Sequence, residues 1–285
     1  MRAQGSFRWH QDARLFAGQS EVPRAPEGQR DSFRALPATP TFDALTALTT
    51  AISQQAPFCL SDRPLPDDIA CPPGAFLTLT GGASGQPKAV RRSQASWIAS
   101  FDVNADRFAL TRRDSVAVLG RLSHSLSLYA VLEALHLGLD AHVLADQPPR
   151  QQASQIATSG ATILYATPTQ LRLLARGAAA PLPSLRLVLC GGGALDAATR
   201  AATGRLCPHA AVHVFYGAAE TSFITLADAA TPEGSVGRPY LGVELRLLRR
   251  GNPLQTWVKS GCAARTFSMA THRAAAPRPA GRMVS

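Results

Sequence analysis

The sequence predicts an α/β fold built on a largely parallel sheet flanked by helices. Three observations carry this expectation. Short apolar runs of strand length recur from residue 75 onward, segments with helical apolar spacing lie between most of them, and the connections are short. Residues 1–75 precede this pattern and are only weakly ordered by it. They are rich in Pro, Gln and Arg, hold one short helical candidate at 42–54, and read as a poorly packed entry segment.

Taken in order, the predicted strands are 75–80, 114–120, 140–145, 161–166, 184–190, 211–216 and 243–248. The helical segments between them are 93–103, 126–138, 149–158, 168–176 and 195–206. Thr167-Pro168 and Leu195-Asp196 read as helix starts: a hydroxyl or carboxylate can cap free N–H groups, and proline suits a first helical turn. In such a sheet ligands bind beyond the carboxyl ends of the strands, so the residues just after each apolar run hold the chemistry. Residues 251–285 show neither period, hold three prolines and no acid, and promise no packed element.

Composition narrows the classes. Of 285 residues, 46% are hydrophobic and 17% charged, which supports a sizeable core and argues against global disorder. No apolar run approaches the ~20 residues of a membrane-spanning helix, so no membrane partner is expected. Five scattered cysteines without a CxxC pair read as reduced thiols in a cytoplasmic protein. The net charge of +10 invites a nucleic-acid reading, but residues 246–285 hold eight basic residues and no acidic one, leaving only +2 for the rest. A basic end of this kind is usually solvated, and no nucleic-acid motif accompanies it. Lys88 and Lys259 are the only lysines, so any lysine-dependent step must use one of them.

The strongest motif follows the first of the strands at 75–80: Thr80-Gly81-Gly82-Ala83-Ser84-Gly85-Gln86-Pro87-Lys88. Glycines let backbone N–H groups approach a ligand, Thr80 and Ser84 add hydroxyls, and Lys88 adds a point charge for a phosphate. The spacing is not that of a Walker loop. The glycines alone would be an ordinary flexible turn. Together with two hydroxyls and the Pro-Lys pair they read as a phosphate-binding loop.

This string resembles the phosphate-binding loop of the adenylate-forming superfamily, which comprises acyl-CoA synthetases, aryl-acid ligases and peptide-synthetase adenylation domains. Thr80, Gly82, Ser84, Gly85, Pro87 and Lys88 match the family pattern, while Gly81, Ala83 and Ala89 depart from it. Further segments follow in family order. Arg121-Leu122-Ser123-His124 resembles the P-x-x-H segment, whose histidine lies beside the acyl pocket in relatives. Gly191-Gly192-Gly193-Ala194-Leu195 resembles the G-G-x-x-L turn along the adenine. Tyr216-Gly217-Ala218-Ala219-Glu220 resembles Y-G-x-T-E, with Ala219 in place of a hydroxyl residue. Gly234–Pro239 and Trp257-Val258-Lys259-Ser260 resemble two later family segments.

The resemblance covers residues 76–260 and implies the large N-terminal domain of that superfamily. The nucleotide site it implies comprises Thr80, Gly82, Ser84, Gly85, Lys88, Gly191, Gly192, Gly193, Tyr216, Gly217, Ala218 and Glu220. Glu220 and Thr80 are the implied magnesium contacts, and His124 and Lys88 the implied catalytic residues. ATP and Mg²⁺ follow as cofactors and coenzyme A as acceptor, with a fatty or aromatic carboxylic acid as substrate. A carrier protein is the alternative acceptor, and a catalytically inactive nucleotide-binding fragment the alternative function. Relatives continue to a T-G-D motif and a small domain carrying a catalytic lysine. Here the last acid is Glu244 and the last lysine Lys259. The chain is therefore expected to be truncated and severely impaired in catalysis, with residues 261–285 a disordered or out-of-frame tail.

Overall fold

The computed structural model describes residues 5–28, 32–65, 70–80, 88–249, 254–260 and 267–270, with side chains through residue 245. Two compact units emerge, Met1–Leu241 and Gly242–Ser285.

The first unit contains strands β1 (Leu15–Ala17), β2 (Ser20–Glu21), β3 (Arg34–Pro37), β4 (Phe58–Ser61), β5 (Ala75–Leu79), β6 (Ala89–Ser93), β7 (Ser115–Val118), β8 (Asp140–Val143), β9 (Ile163–Ala166), β10 (Leu187–Cys190), β11 (Ala211–Ala218), β12 (Ser222–Ala227) and β13 (Arg238–Pro239). Its helices are α1 (Thr41–Ser53), α2 (Gln94–Arg107), α3 (Ser125–Leu137), α4 (Pro149–Ser159), α5 (Pro168–Gly177) and α6 (Ala197–Leu206). A nine-stranded sheet runs β13-β12-β11-β10-β9-β7-β8-β1-β2, and a four-stranded sheet runs β3-β4-β5-β6. From β11 to β1 every neighbouring pair in the large sheet is parallel, so the carboxyl ends of β7, β9, β10 and β11 lie along one edge.

The strands are short and apolar on both faces because helices cover them. Residues 163–166, Ile-Leu-Tyr-Ala, and 187–190, Leu-Val-Leu-Cys, are buried throughout. One cluster packs Leu164 and Val188 against Ile156 of α4, Leu171 and Leu174 of α5 and Leu206 of α6. The predicted helix starts are local chemistry. Thr167 forms a capping box with Gln170, with Pro168 in the first turn, and the Asp196 carboxylate accepts from Thr199 N at 2.7 Å. Gly138 and Gly160, at φ 89° and 65°, end α3 and α4 in left-handed caps. Arg186 and Asp114 pair through two 2.7 Å contacts and tie the entry of β10 to that of β7. Burial raises the Asp114 carboxyl, but hydrogen bonds from Arg186, Thr111 and Thr162 outweigh it and leave it below the ordinary value.

Two expectations are corrected. The described part of residues 1–75 is not a poorly packed entry segment. It supplies β1 and β2 to the large sheet and β3 and β4 to the small one. Helix α1 lies one residue from its predicted start, and Phe7, Leu15, Leu45, Leu48 and Phe58 are all buried. The strands there are two to four residues long, too short to display a period. The second correction concerns the tail. The second unit holds β14 (Val243–Arg249), β15 (Leu254–Ser260) and β16 (Phe267–Ala270), an antiparallel three-stranded sheet. β15 and β16 both fall in residues 251–285, from which no packed element was expected, and β16 pairs Phe267 with Val258 and Met269 with Thr256; residues 261–266 and 271–285 lie outside the described residues.

Four cysteines, Cys59, Cys71, Cys190 and Cys207, are free and buried. Burial pushes their thiols up to about 11 for Cys71 and about 12 for the other three, which makes them packing groups with little thiolate character. Among the described residues no helix is long and apolar enough to cross a membrane.

Candidate functional site

Within the first unit, the described ends of the Thr80–Lys88, His124, Gly191–Gly193 and Tyr216–Glu220 segments lie at neighbouring strand ends. β5 and β6 form a hairpin whose mouth is closed by Thr80 N donating to Lys88 O at 3.0 Å and Lys88 N donating to Thr80 Oγ1 at 3.4 Å. Lys88 is exposed at this mouth. Gly82, Ser84 and Gly85 lie outside the described residues. His124 is the residue preceding α3, exposed, and its backbone forms a parallel bridge with Leu79 at the end of β5. Thr78 and Ser125 add a hydroxyl–hydroxyl bond of 2.5 Å across the same seam.

Gly191, Gly192 and Gly193 leave the carboxyl end of β10, beside β11. Gly191 is buried, and a Cβ there would come within 2.1 Å of the Phe215 ring, so this glycine is explained by packing. Gly192 and Gly193 are exposed, and Gly192 sits at φ 83°. β11 carries Tyr216 and Gly217 into a tight turn with β12, where the register shifts between these two residues. A Cβ on Gly217 would lie 2.2 Å from the Ser222 carbonyl oxygen. Thr221 N donates to Ala218 O at 3.1 Å, and Ser222 adopts φ 62°. Tyr216, Ala218 and Glu220 are half-buried along this turn.

A residue without a role in the sequence reading joins the hairpin to the turn. Arg92, on β6, is 8% exposed and donates to Ala219 O at 2.6 Å and to Ser96 Oγ at 3.4 Å. Burial pushes its guanidinium down to about 10, and the carboxylate of Glu220 opposes that shift. Arg92 therefore brings the small sheet and the end of the large one into a single site. Its surroundings in sequence, Arg91-Arg92-Ser93, look like an ordinary solvated stretch, so no local signal distinguishes it.

An apolar cavity of about 160 Å³ opens beside the turn. Trp97, Tyr129, Phe215 and Phe223 form its aromatic walls, with Gly192 and Ala218 at its rim. Behind Tyr129 lies a buried polar network. Glu133, 1% exposed on α3, accepts from Tyr165 Oη at 2.5 Å and from Asn104 Nδ2 at 2.8 Å. Tyr240 Oη donates to Asn104 Oδ1 at 2.6 Å, and Tyr129 Oη lies 2.7 Å from Ser100 Oγ. Burial pushes the Glu133 carboxyl up to about 7, although hydrogen bonds from Tyr165, Asn104 and Tyr129 favour its charged form. A single acid inside an otherwise acid-free helix was visible in the sequence. Its partners Asn104, Tyr129 and Tyr165, up to 32 positions away in the chain, were not.

The donors suit magnesium nucleotide chemistry. The Glu220 carboxylate and the Thr80 hydroxyl are hard oxygen ligands of the kind Mg²⁺ takes, usually one or two carboxylates with phosphate and water completing the shell. Among the described residues, the buried hydroxyls of Thr221 and Ser222 at the turn have no hydrogen-bond partner.

A family model described as AMP-binding enzyme matches residues 22–261, beginning well inside the segment whose packing the sequence had hidden. Among curated proteins, the uncharacterized acyl–CoA ligase YhfT of Bacillus subtilis (strain 168) is 28% identical over 179 residues, 62% of this chain and 37% of its own. The putative long chain fatty acid-CoA ligase VraA of Staphylococcus epidermidis (strain ATCC 35984 / RP62A) is 32% identical over 176 residues, 61% of this chain and 38% of its own. The aligned part of the chain thus spans less than two fifths of the length of these relatives. Among solved structures, the O-succinylbenzoate coenzyme A synthetase of Bacillus subtilis, in complex with ATP and magnesium ion, superposes with a TM-score of 0.68 at 17% identity. That match covers 82% of this chain and 61% of the synthetase.

Proposed function

The chain belongs to the AMP-binding enzyme family, and from that premise we propose that it acts in the ATP-dependent activation of a carboxylic acid to an acyl-adenylate, with coenzyme A as the thiol that then accepts the acyl group. The observation that carries this reading is the convergence of Thr80 and Lys88, His124, Gly192 and Gly193, and Tyr216 to Glu220 at neighbouring strand ends beside an apolar cavity. A charged nucleotide and an apolar acid need such a pairing of a polar rim with a dry pocket.

Each residue has a definite task in this account. Lys88, exposed at the hairpin mouth, supplies positive charge to the phosphates. Glu220 and Thr80 supply the oxygen ligands for Mg²⁺, and Tyr216 supplies a ring for the base to stack on. The exposed backbone of Gly192 and Gly193 leaves room for that base. His124, one residue before the cavity-lining Ser125 and Leu126, is assigned the task of orienting the acid's carboxylate. Bound ATP supplies the α-phosphorus that the carboxylate attacks, with pyrophosphate as the leaving group. The protein's contribution is to hold the two reactants in line and to offset developing negative charge.

Coenzyme A is preferred to a carrier protein as acceptor because the curated relatives carry the names of acyl–CoA and fatty acid-CoA ligases. Pyrophosphate release tests the reading. It should require Mg²⁺, ATP and an apolar acid together, and fall in Lys88→Ala. Release that is independent of the acid would contradict it.

A further inference from the structure

Resting on the assignment of the acid to the cavity beside the Gly217–Ser222 turn, we propose that Tyr129, held in place by the buried Glu133 network, limits the substrate to a compact acyl group about the size of one aromatic ring. The cavity holds about 160 Å³. An apolar protein cavity of about 150 Å³ is known to take one benzene molecule, which sets the scale of what fits. Its walls leave little slack. Trp97 packs against Phe76 and Tyr129, with ring centroids 4.6 and 5.1 Å away, and Phe223 packs against Phe215 and Tyr240 at 4.3 and 5.0 Å.

Tyr129 is the wall with the least freedom to move aside. Its ring touches those of Trp97, Phe101, Tyr165 and Phe223. Its hydroxyl lies 2.7 Å from Ser100 Oγ and accepts from Asn104 Nδ2 at 3.2 Å. Asn104 and Tyr165 are in turn tied to Glu133, and Tyr240 reaches both Asn104 Oδ1 and Ser100 O. Rotating the Tyr129 ring to admit a longer chain would break buried hydrogen bonds without offering replacements, which is costly in a dry interior. The described side chains lining the cavity carry no charge, so the acyl group is neutral as well as small. Glu133 is a positioning residue in this account: it touches Tyr129 and not the substrate.

Calorimetric titration of the 285-residue chain with benzoate, hexanoate and dodecanoate tests the proposal, with Mg·ATP titrated in parallel. Because one methylene in an apolar pocket is worth about tenfold or more in discrimination, benzoate should bind at least about tenfold more tightly than dodecanoate. Tyr129→Ala should narrow or invert that ratio by opening the wall. Leu126→Trp, at the half-buried rim and outside the network, should abolish benzoate binding by filling the space, and it carries the test if Tyr129→Ala does not fold. Glu133→Gln should lower the benzoate-to-dodecanoate ratio, a readout that a purely structural role would leave unchanged. Equal affinity of the parent for benzoate and dodecanoate would overturn the size limit while leaving the nucleotide reading intact. Binding of Mg·ATP but of no acid would overturn the cavity as the acid site. Failure to bind Mg·ATP at all would instead strike the proposed function.

Discussion

A guanidinium as deeply buried as that of Arg92 keeps its place only through its partners, because an unpaired charge in a dry interior is strongly disfavoured. Its bond to the Ala219 carbonyl fixes the turn that carries Glu220, and its charge faces that carboxylate. Arg92→Leu removes a charge-assisted bond and should cost about 1.5–3 kcal/mol in urea unfolding. Arg92→Lys should recover little of this, since an ammonium cannot reproduce the planar fork that reaches Ala219 and Ser96 together. Unchanged unfolding of the leucine variant would show that the brace contributes nothing. Glu133 makes a different prediction, one of pH. Its folded-state value is raised from 4.5 to about 7 by burial. Between those values the folded chain binds more protons than the unfolded one, so stability falls as pH rises through this window and levels off above it. The shift corresponds to roughly 3 kcal/mol at most. Glu133→Gln should flatten that slope in thermal unfolding measured at several pH values. An identical slope in the two proteins would remove Glu133 as its source.

At the scale of elements, the hairpin of β11 and β12 shows how geometry constrains sequence at the site. Gly217 has no room for a Cβ because the Ser222 carbonyl oxygen would lie 2.2 Å away, and backbone cannot swing aside as a long side chain can. Gly217→Ala should therefore destabilise by about 1–3 kcal/mol in chemical denaturation, as overpacking does. A neutral substitution would mean that the turn relaxes freely. The sequence made β7, β9 and β10 legible because both faces of these strands are buried and their apolar runs are continuous. It hid β6, whose Ala-Val-Arg-Arg-Ser reads as polar although it pairs along its whole length with β5. It hid β12 because the Thr221 and Ser222 turn masks where the strand begins. β1 and β2 were invisible for a third reason: three and two residues cannot show a period, and their strand character comes only from pairing with each other and, for β1, with β8 more than 120 positions away.

For the whole molecule, the large parallel sheet makes the site possible. The parallel neighbours from β11 through β10 and β9 to β7 turn their carboxyl ends the same way, so segments separated by nearly 100 residues in the chain meet at one edge. Lys88, His124 and Gly192 follow strands, Tyr216 lies near the end of β11 and Glu220 just past it, which is where such sheets bind ligands, while the role proposed for each residue comes from the family resemblance alone. What the sequence could not supply was the connection between the sheets, since Arg92 and the Glu133 network depend on contacts 29 to 136 positions apart. The central claim is that the Tyr216–Glu220 turn and the Thr80–Lys88 hairpin together hold a magnesium nucleotide. Calorimetric titration of ATP into the parent chain and into Glu220→Ala, with and without Mg²⁺, tests it most directly. The account predicts that the variant binds ATP more weakly than the parent only when Mg²⁺ is present. Equal affinity of the two proteins for ATP in Mg²⁺ would contradict it.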